Sequence, residues 1–452
     1  MPTLPERPPS DWKQAITARN TAFAIDPKFQ EEVAEYNRRY LSWDELKYRI
    51  PDPDRRKVTW AIMKLLRVLR YEQVPFPRLP LTYSFIPEMV RSLHTIDRYL
   101  SGTLRIHNKT LPLEESYILN ALMEEAIASS ILEGAATTRK AAKEMLRKGK
   151  KPKNTAERMV LNNYEAMRFI REKKDDALSP EFILAIHQMV TKGTINEEYG
   201  GGFRTTNDVV VADSESGLVY HTPPDFSEIE GFVHDLCAFA NSDSAGSKES
   251  GVPFIHPVIK GIILHYLVGY LHPFHDGNGR TARSIFYWYV LSRGYWLFEY
   301  MPISRIILRS KKKYALAYLH TEYDGSDITY FLQYTLSCIN AALTDLLTYL
   351  EQQQAVQSEA NALIREIQEI NPRQALILRE MREHPNEYYT IREIMQDYNT
   401  VYQTARTDLL HLTELGYLLK QKRGKEYLFI YNEQLNLQKN VNRERKGRKA
   451  QD

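Results

Sequence analysis

The segment His272-Pro273-Phe274-His275-Asp276-Gly277-Asn278-Gly279-Arg280-Thr281-Ala282-Arg283 sits between two apolar stretches with helical spacing, at about 257–270 and 280–293. Two glycines around Asn278, opening directly onto a helix, let the backbone turn so that several N–H groups point at one place. That makes a cradle for anionic oxygens, reinforced by the positive end of the helix dipole. Arg280 and Arg283 lie three apart on the new helix, so both guanidinium groups can reach the same side. Phosphate is the natural guest. Asp276, just before the cradle, is placed to hold a magnesium ion, which accepts one carboxylate together with phosphate oxygens. His272 is left as a general base that takes a proton from an incoming hydroxyl near neutral pH. Base, metal carboxylate, cradle and arginine clamp together describe nucleotidyl or phosphoryl transfer.

Two other readings compete. A glycine-rich turn alone reads as an ordinary connection between helices, but the whole constellation outweighs that. A metal hydrolase using His272, His275 and Asp276 with His256 and His265 leaves Asn278, Arg280 and Arg283 without a task. The loop is not a P-loop, because no lysine followed by serine or threonine closes the glycines.

Working outward, Ile86, Met89, Val90, Leu93, Ile96 and Leu100 make one apolar helical face, and helix dominates from there to about residue 350. A second helix spans 114–132 and stops at Gly134, with others expected at 156–174 and 179–191. The exception is 203–224, where Val209-Val210-Val211 and Leu218-Val219-Tyr220 flank a polar tip and read as a short β-hairpin. Two more helices are expected over 314–350. The stretch 351–369, rich in glutamine and mixed charge, reads as a solvated helical linker. Beyond it, helices at 373–383, 390–398 and 401–415 precede a hairpin at 417–431 that turns at Arg423-Gly424, a winged helix-turn-helix pattern. The tail 437–452 is basic and expected to be disordered.

The chain has 452 residues, beyond the roughly 250–300 that one core usually serves, so more than one domain is expected. A net charge of +3 does not by itself argue for a nucleic-acid or membrane partner. Cys237 and Cys338 stand far apart, which gives neither a disulfide framework nor a zinc site and suits a reducing compartment. No apolar run reaches the length of about 18 residues that a membrane span needs, and the charged, proline-rich start does not read as a signal peptide. The expectation is a soluble, cytoplasmic protein without a membrane partner.

HPFHDGNGRTAR, residues 272–283, resembles the Fic family signature HPFx(D/E)GNGRxxR at every specified position. The resemblance extends over about 85–350, since His256-Pro257 and the hairpin also look like Fic features. It implies a mainly α fold: an all-helical core with a short β-hairpin flap, here followed by a small winged-helix domain. It also implies an enzyme that uses ATP with Mg2+ to transfer AMP to a Ser, Thr or Tyr hydroxyl of a protein. By position, His272 would be the catalytic base, Phe274 the anchor of the loop and Asp276 the metal ligand. Gly277, Asn278, Gly279, Arg280, Thr281, Ala282 and Arg283 would bind the nucleotide, with Arg283 on the γ-phosphate. Val209, Val210, Val211 and Ala212 resemble the flap strand that holds a target segment by strand addition.

Ser129-Ser130-Ile131-Leu132-Glu133-Gly134 resembles the family's inhibitory motif (S/T)xxxE(G/N), which marks Ser129, Glu133 and Gly134. The resemblance implies that Glu133 pairs with Arg283 and blocks the γ-phosphate site. A carboxylate at the end of a helix opposes the dipole by about 0.3–1 kcal/mol unless a cation answers it, which adds physical weight to an arginine partner. One departure is Asp324-Gly325-Ser326-Asp327, where some relatives carry an asparagine that helps hold the nucleotide.

The expected organisation is an N-terminal helical extension at 1–84, a catalytic domain at 85–350 that includes an inhibitory helix at 114–134, a linker at 351–369, a winged helix at 370–436 and a basic tail. Val401 to Leu410 resembles recognition helices of bacterial winged-helix regulators, and Lys420, Lys422, Arg423 and Lys425 crowd the wing where phosphate contacts would fall. The rival function is therefore a DNA-binding transcriptional regulator whose core senses nucleotide. The target protein, self-modification and dimerisation through the core are left open.

Overall fold

The structure, a computed structural model, describes residues 4–17, 26–100, 105–106, 109–110, 115–196, 199–213, 216–242, 253–398, 400–424 and 426–433. The basic tail, Glu114, Ser214, Glu215 and Lys425 lie outside them. The fold is mainly helical, with a few short strands. It divides into two compact units, residues 1–344 and 345–452.

The centre of the first unit is the helical pair Pro257–Leu271 and Asn278–Ser292. Both are buried on nearly every side, and the first is apolar nearly all round, as suits a helix that is covered on every side. Ile259, Ile262, Leu264, Ile285 and Tyr289 are fully buried. Around the pair stand the helices Glu115–Leu132, Thr155–Glu172 and Pro180–Thr191. Pro180 at the first helical turn and Ser179, whose side chain accepts from the Phe182 N–H, start the last of these in the usual way. Glu115–Leu132 carries no polar stripe in its described part: Glu124 and Glu125 are both buried, and each has partners. Arg139 and Lys143 from the next helix grip Glu124. Glu125 accepts from the Ser304 backbone N–H at 2.8 Å and the Tyr287 hydroxyl at 2.9 Å, and from the Ser304 hydroxyl.

The N-terminal residues are part of this unit rather than an appendage. Helix Pro53–Val68 delivers Lys64 to Asp324 at 2.7 Å, while Tyr40 and Tyr71 both donate to Asp327 at 2.6 Å. Thr82 pairs with Asp327 in an isolated bridge. The acidic pair noted in the sequence as a departure is thus engaged by the first eighty residues.

Two expectations need correcting. The hairpin strands are shorter than the sequence suggests: Val211–Ala212 pairs with Val219–His221, with a register shift between Val211 and Ala212, while Val209 and Val210 lie outside the ladder. The range 314–350 holds two helices as expected, Lys311–Tyr323 and Thr329–Ile367, preceded by the short helix Ile303–Leu308. The stretch 351–369 is helical and mostly exposed, as expected, but it is more than a linker. It lies largely within the single helix Thr329–Ile367, and Ala360 and Leu363 are buried in the core of the second unit. An apolar residue every three to four positions in an otherwise polar run was enough to make a packing face.

The second unit places three helices, Pro372–Glu383, Ile391–Asp397 and Tyr402–Glu414, over a sheet of strand order Tyr389–Thr390, Glu426–Tyr431, Leu418–Arg423. Its core holds Ile377, Leu378, Ile394, Leu409, Leu412 and Phe429. Buried Asp408 accepts from Arg373, Asn371 and Gln374, which fixes the first and third helices to each other.

Candidate active site

His272 ends the first of the paired helices in the left-handed region, at φ 47° and ψ 58°. Such a backbone costs a non-glycine residue about 1–2 kcal/mol, so the surroundings must hold it. Nδ1 faces the Gly269 carbonyl at 3.1 Å and therefore carries the proton, which leaves Nε2 with its lone pair. Burial holds the imidazole below its ordinary pKa, with the Gly269 contact opposing. This is a neutral base with a fixed tautomer.

The turn that follows is braced from inside. Phe274 is fully buried and stacks on His187, ring centroids 3.7 Å apart. Asn278 closes the turn on itself: its Oδ1 accepts from the Phe274 N–H at 2.9 Å and its amide donates to the Phe274 carbonyl at 2.8 Å. His187 Nε2 meets the Asp276 carbonyl at 2.9 Å, and burial depresses its pKa to about 4. Gly277 takes φ 83°, and a Cβ there would lie 2.7 Å from Thr191 Cγ2. Only glycine fits both demands.

Arg280 and Arg283 leave the first and second turns of helix Asn278–Ser292 and are both buried. Arg280 donates to the Val190 carbonyl at 2.6 Å and to Asp276 Oδ2 at 3.2 Å. Arg283 donates to Ser129 Oγ at 2.8 Å, to the Ser129 carbonyl at 3.2 Å and to Glu133 Oε1 at 2.9 Å. Its Nη1 is buried without a hydrogen bond of ordinary geometry among the described residues. Glu133 lies just past the end of helix Glu115–Leu132, and Gly134 turns the chain away at φ 93°. A Cβ on Gly279 would sit 2.2 Å from Glu133 Oε1 and 3.1 Å from Arg283 Nη1. The Glu133 carboxylate therefore rests over the opening of the helix, between a bare glycine backbone and a buried guanidinium. A carboxylate oxygen in that position stands where an anionic oxygen of a ligand would bind.

The residues fit a nucleotide and one divalent ion. The glycine cradle and the buried Arg283 guanidinium suit phosphate, and Asp276 presents an exposed carboxylate beside them. Thr281 and Ala282 are buried on the same helix turn, with the Thr281 N–H bonded to the Gly277 carbonyl. Among the described residues no three His, Cys, Asp or Glu side chains gather as a metal-holding group. His265 meets the Tyr314 hydroxyl at 2.9 Å and His256 meets Asp97 at 3.1 Å. Neither shares in the loop as the hydrolase reading would need.

Arg204, His187, His221 and Glu125 escaped the sequence reading. Arg204 bonds the His272 carbonyl from 68 positions away, and Glu125 bonds Ser304 from 179. A lone arginine or histidine between short motifs carries no local signal. Glu125 alone could have been marked, as a charge inside an otherwise apolar helical run.

Residues 177–290 match the Fic/DOC family, a narrower span than the 85–350 of the sequence resemblance. The chain is 27% identical over 187 residues to a protein named protein adenylyltransferase Fic from Aedes aegypti, covering 41% of this chain and 33% of that protein. It is 26% identical over 182 residues to the protein of the same name from Nematostella vectensis, covering 40% of this chain and 37% of that one. It thus spans about a third of the length of these curated relatives. A solved Fic family protein from Desulfovibrio desulfuricans G20 shares the fold, with TM-score 0.51 at 19% identity over 78% of this chain and 98% of that chain.

Proposed function

We propose, from the match of residues 177–290 to the Fic/DOC family, that this chain transfers AMP from ATP to a Ser, Thr or Tyr hydroxyl of a protein, either a partner or the chain itself. The single observation that carries this reading is the Glu133 carboxylate lying between Gly279 and Arg283, on a backbone cradle suited to phosphate oxygens.

His272 Nε2 takes the proton of the attacking hydroxyl. The hydroxyl oxygen bonds to the α-phosphorus, the α–β phosphoanhydride bond breaks, and pyrophosphate leaves. Gly277, Asn278, Gly279 and Arg280 orient the phosphates, with Thr281 and Ala282 completing the turn, and Arg283 grips the γ-phosphate. Asp276 would hold a magnesium ion, which would supply charge neutralisation on the phosphates. Val209 to Ala212 hold the target segment, with strand addition confined to the short ladder at Val211 and Ala212.

Glu133 restrains this reaction, with Ser129 and Gly134 fixing its place. Its bond to Arg283 occupies the group that would otherwise take the γ-phosphate. Incubating wild type, Glu133→Gly and His272→Ala with ATP labelled at the α-phosphate tests both statements. Weak incorporation by wild type, at least about tenfold more by Glu133→Gly and none by His272→Ala is expected. Equal incorporation by wild type and Glu133→Gly rejects the restraint, and label retained only from the γ position rejects AMP transfer in favour of phosphorylation.

A second reading gives the second unit a DNA-binding role as a winged helix. Tyr402, Gln403, Arg406 and Thr407 are exposed on helix Tyr402–Glu414, and Lys420, Lys422 and Arg423 are exposed on strand Leu418–Arg423. Phosphate contacts of this kind weaken steeply with salt. A salt-dependent gel shift without AMP transfer would favour a regulator over an enzyme.

A further inference from the structure

Arg204 is 2% exposed, and its hydrogen bonds among the described residues all go to uncharged acceptors. Burying a guanidinium without a carboxylate is costly. Burial indeed lowers its pKa from the ordinary arginine value, with Asp225 and Asp208 opposing from nearby. The position it takes explains why the cost is tolerated.

One residue reaches three segments. The backbone N–H of Arg204 donates to the Pro273 carbonyl at 2.8 Å, and its Nε donates to the His272 carbonyl at 2.9 Å. Two consecutive carbonyls of the left-handed turn are held from one side. Nη1 donates to the Thr206 carbonyl at 2.8 Å and to Asn207 Oδ1 at 3.1 Å, while Nη2 donates to the Pro224 carbonyl. Thr206 and Pro224 are the two stems of the hairpin, and Asn207 ties them again through Asp225 and the Phe226 N–H. A second fastening lies along the returning strand. His221 Nε2 meets the Tyr270 carbonyl at 2.7 Å, two residues before His272, and Nδ1 meets the Glu322 carboxylate at 3.0 Å.

We propose that Arg204 is a positioning residue that fixes the hairpin at 206–224 to the His272 turn, setting the distance between a target segment lying along the hairpin and the His272 imidazole. The proposal rests on the AMP-transfer reading. Only a planar fork can serve the turn and both stems at once; a lysine ammonium, a point charge on a flexible stem, cannot join them. The phosphate loop is braced separately, by His187 on the Asp276 carbonyl and by Arg280 on the Val190 carbonyl, so nucleotide binding does not depend on the fork.

The test uses the full chain in the Glu133→Gly background, with Arg204→Lys and Asn207→Ala as variants. Hydrogen exchange is followed over 206–224 and 269–275, and α-labelled ATP is supplied with the chain itself and casein as acceptors. Arg204→Lys is expected to raise exchange in both segments together and to slow incorporation about tenfold or more, with KM for ATP held within about twofold. Asn207→Ala, which keeps the bonds to the turn, is expected to raise exchange in the hairpin alone. Exchange rising in only one segment for Arg204→Lys, or incorporation equal to the parent, overturns the proposal. If the parent incorporates no α-label, the transfer reading falls, and the exchange pattern still decides whether Arg204 joins the two segments.

Discussion

His187 and His272 are two histidines in one site held neutral for different ends. Burial depresses both, His187 to about 4. The unfolded chain binds a proton at His187 near pH 6.5 and the folded one does not until about 4. Stability from neutral His187 is therefore fully present above about pH 6.5 and drains away as pH falls towards 4, by on the order of 3 kcal/mol. Chemical denaturation of wild type and His187→Gln at pH 7 and pH 5 should show a shallower pH dependence in the variant. Equal slopes would mean that His187 is not the group responsible. For His272 the same direction keeps Nε2 unprotonated at a pH where an exposed histidine is partly charged, which suits a base.

The helix Glu115–Leu132 sets the position of Glu133, and its anchor is a second glutamate. Glu125 is wholly buried, with its pKa raised by that burial, and accepts from Ser304 and Tyr287. Replacing it by alanine removes the acceptor for the buried Ser304 N–H, at a cost of about 1–3 kcal/mol, and frees the helix from Ser304 and Tyr287. Glu125→Ala should therefore lower the unfolding midpoint and raise basal AMP incorporation, with no further gain when Glu133 is already glycine. A destabilised variant whose incorporation stays at the wild-type level would show that the anchor holds the fold without serving the restraint.

At the scale of the molecule, the second unit begins well before its first expected helix. Ala360 and Leu363 are buried in its core, and Arg379 pairs with Glu359 at 2.6 Å. A fragment of residues 345–452 should unfold cooperatively, and a fragment of 370–452 should be less stable by about 2–5 kcal/mol for the lost apolar packing. Thermal melts followed by circular dichroism compare the two; equal midpoints would restore the stretch before residue 370 to the status of a linker. Among the described residues no helix is long and apolar enough to cross a membrane.

The sequence by itself determined the parts whose chemistry is contiguous. Residues 272–283 carry a base, a carboxylate, glycines and two arginines in one run, and helical periodicity placed that run between two buried helices. The pairing of Glu133 with Arg283 was also legible, because a motif resemblance names both partners, and the structure brings them to 2.9 Å. Only the tertiary structure decided what holds those parts in place. Arg204, His187 and Glu125 act on backbone carbonyls, a ring face and buried hydroxyls that lie 68 or more positions away, and such partners leave no spacing to read. The short hairpin ladder and the packed stretch before residue 370 were missed for a related reason. Local pattern marks where a strand or a polar helix can form, but pairing register and burial depend on which surface the rest of the chain brings against it.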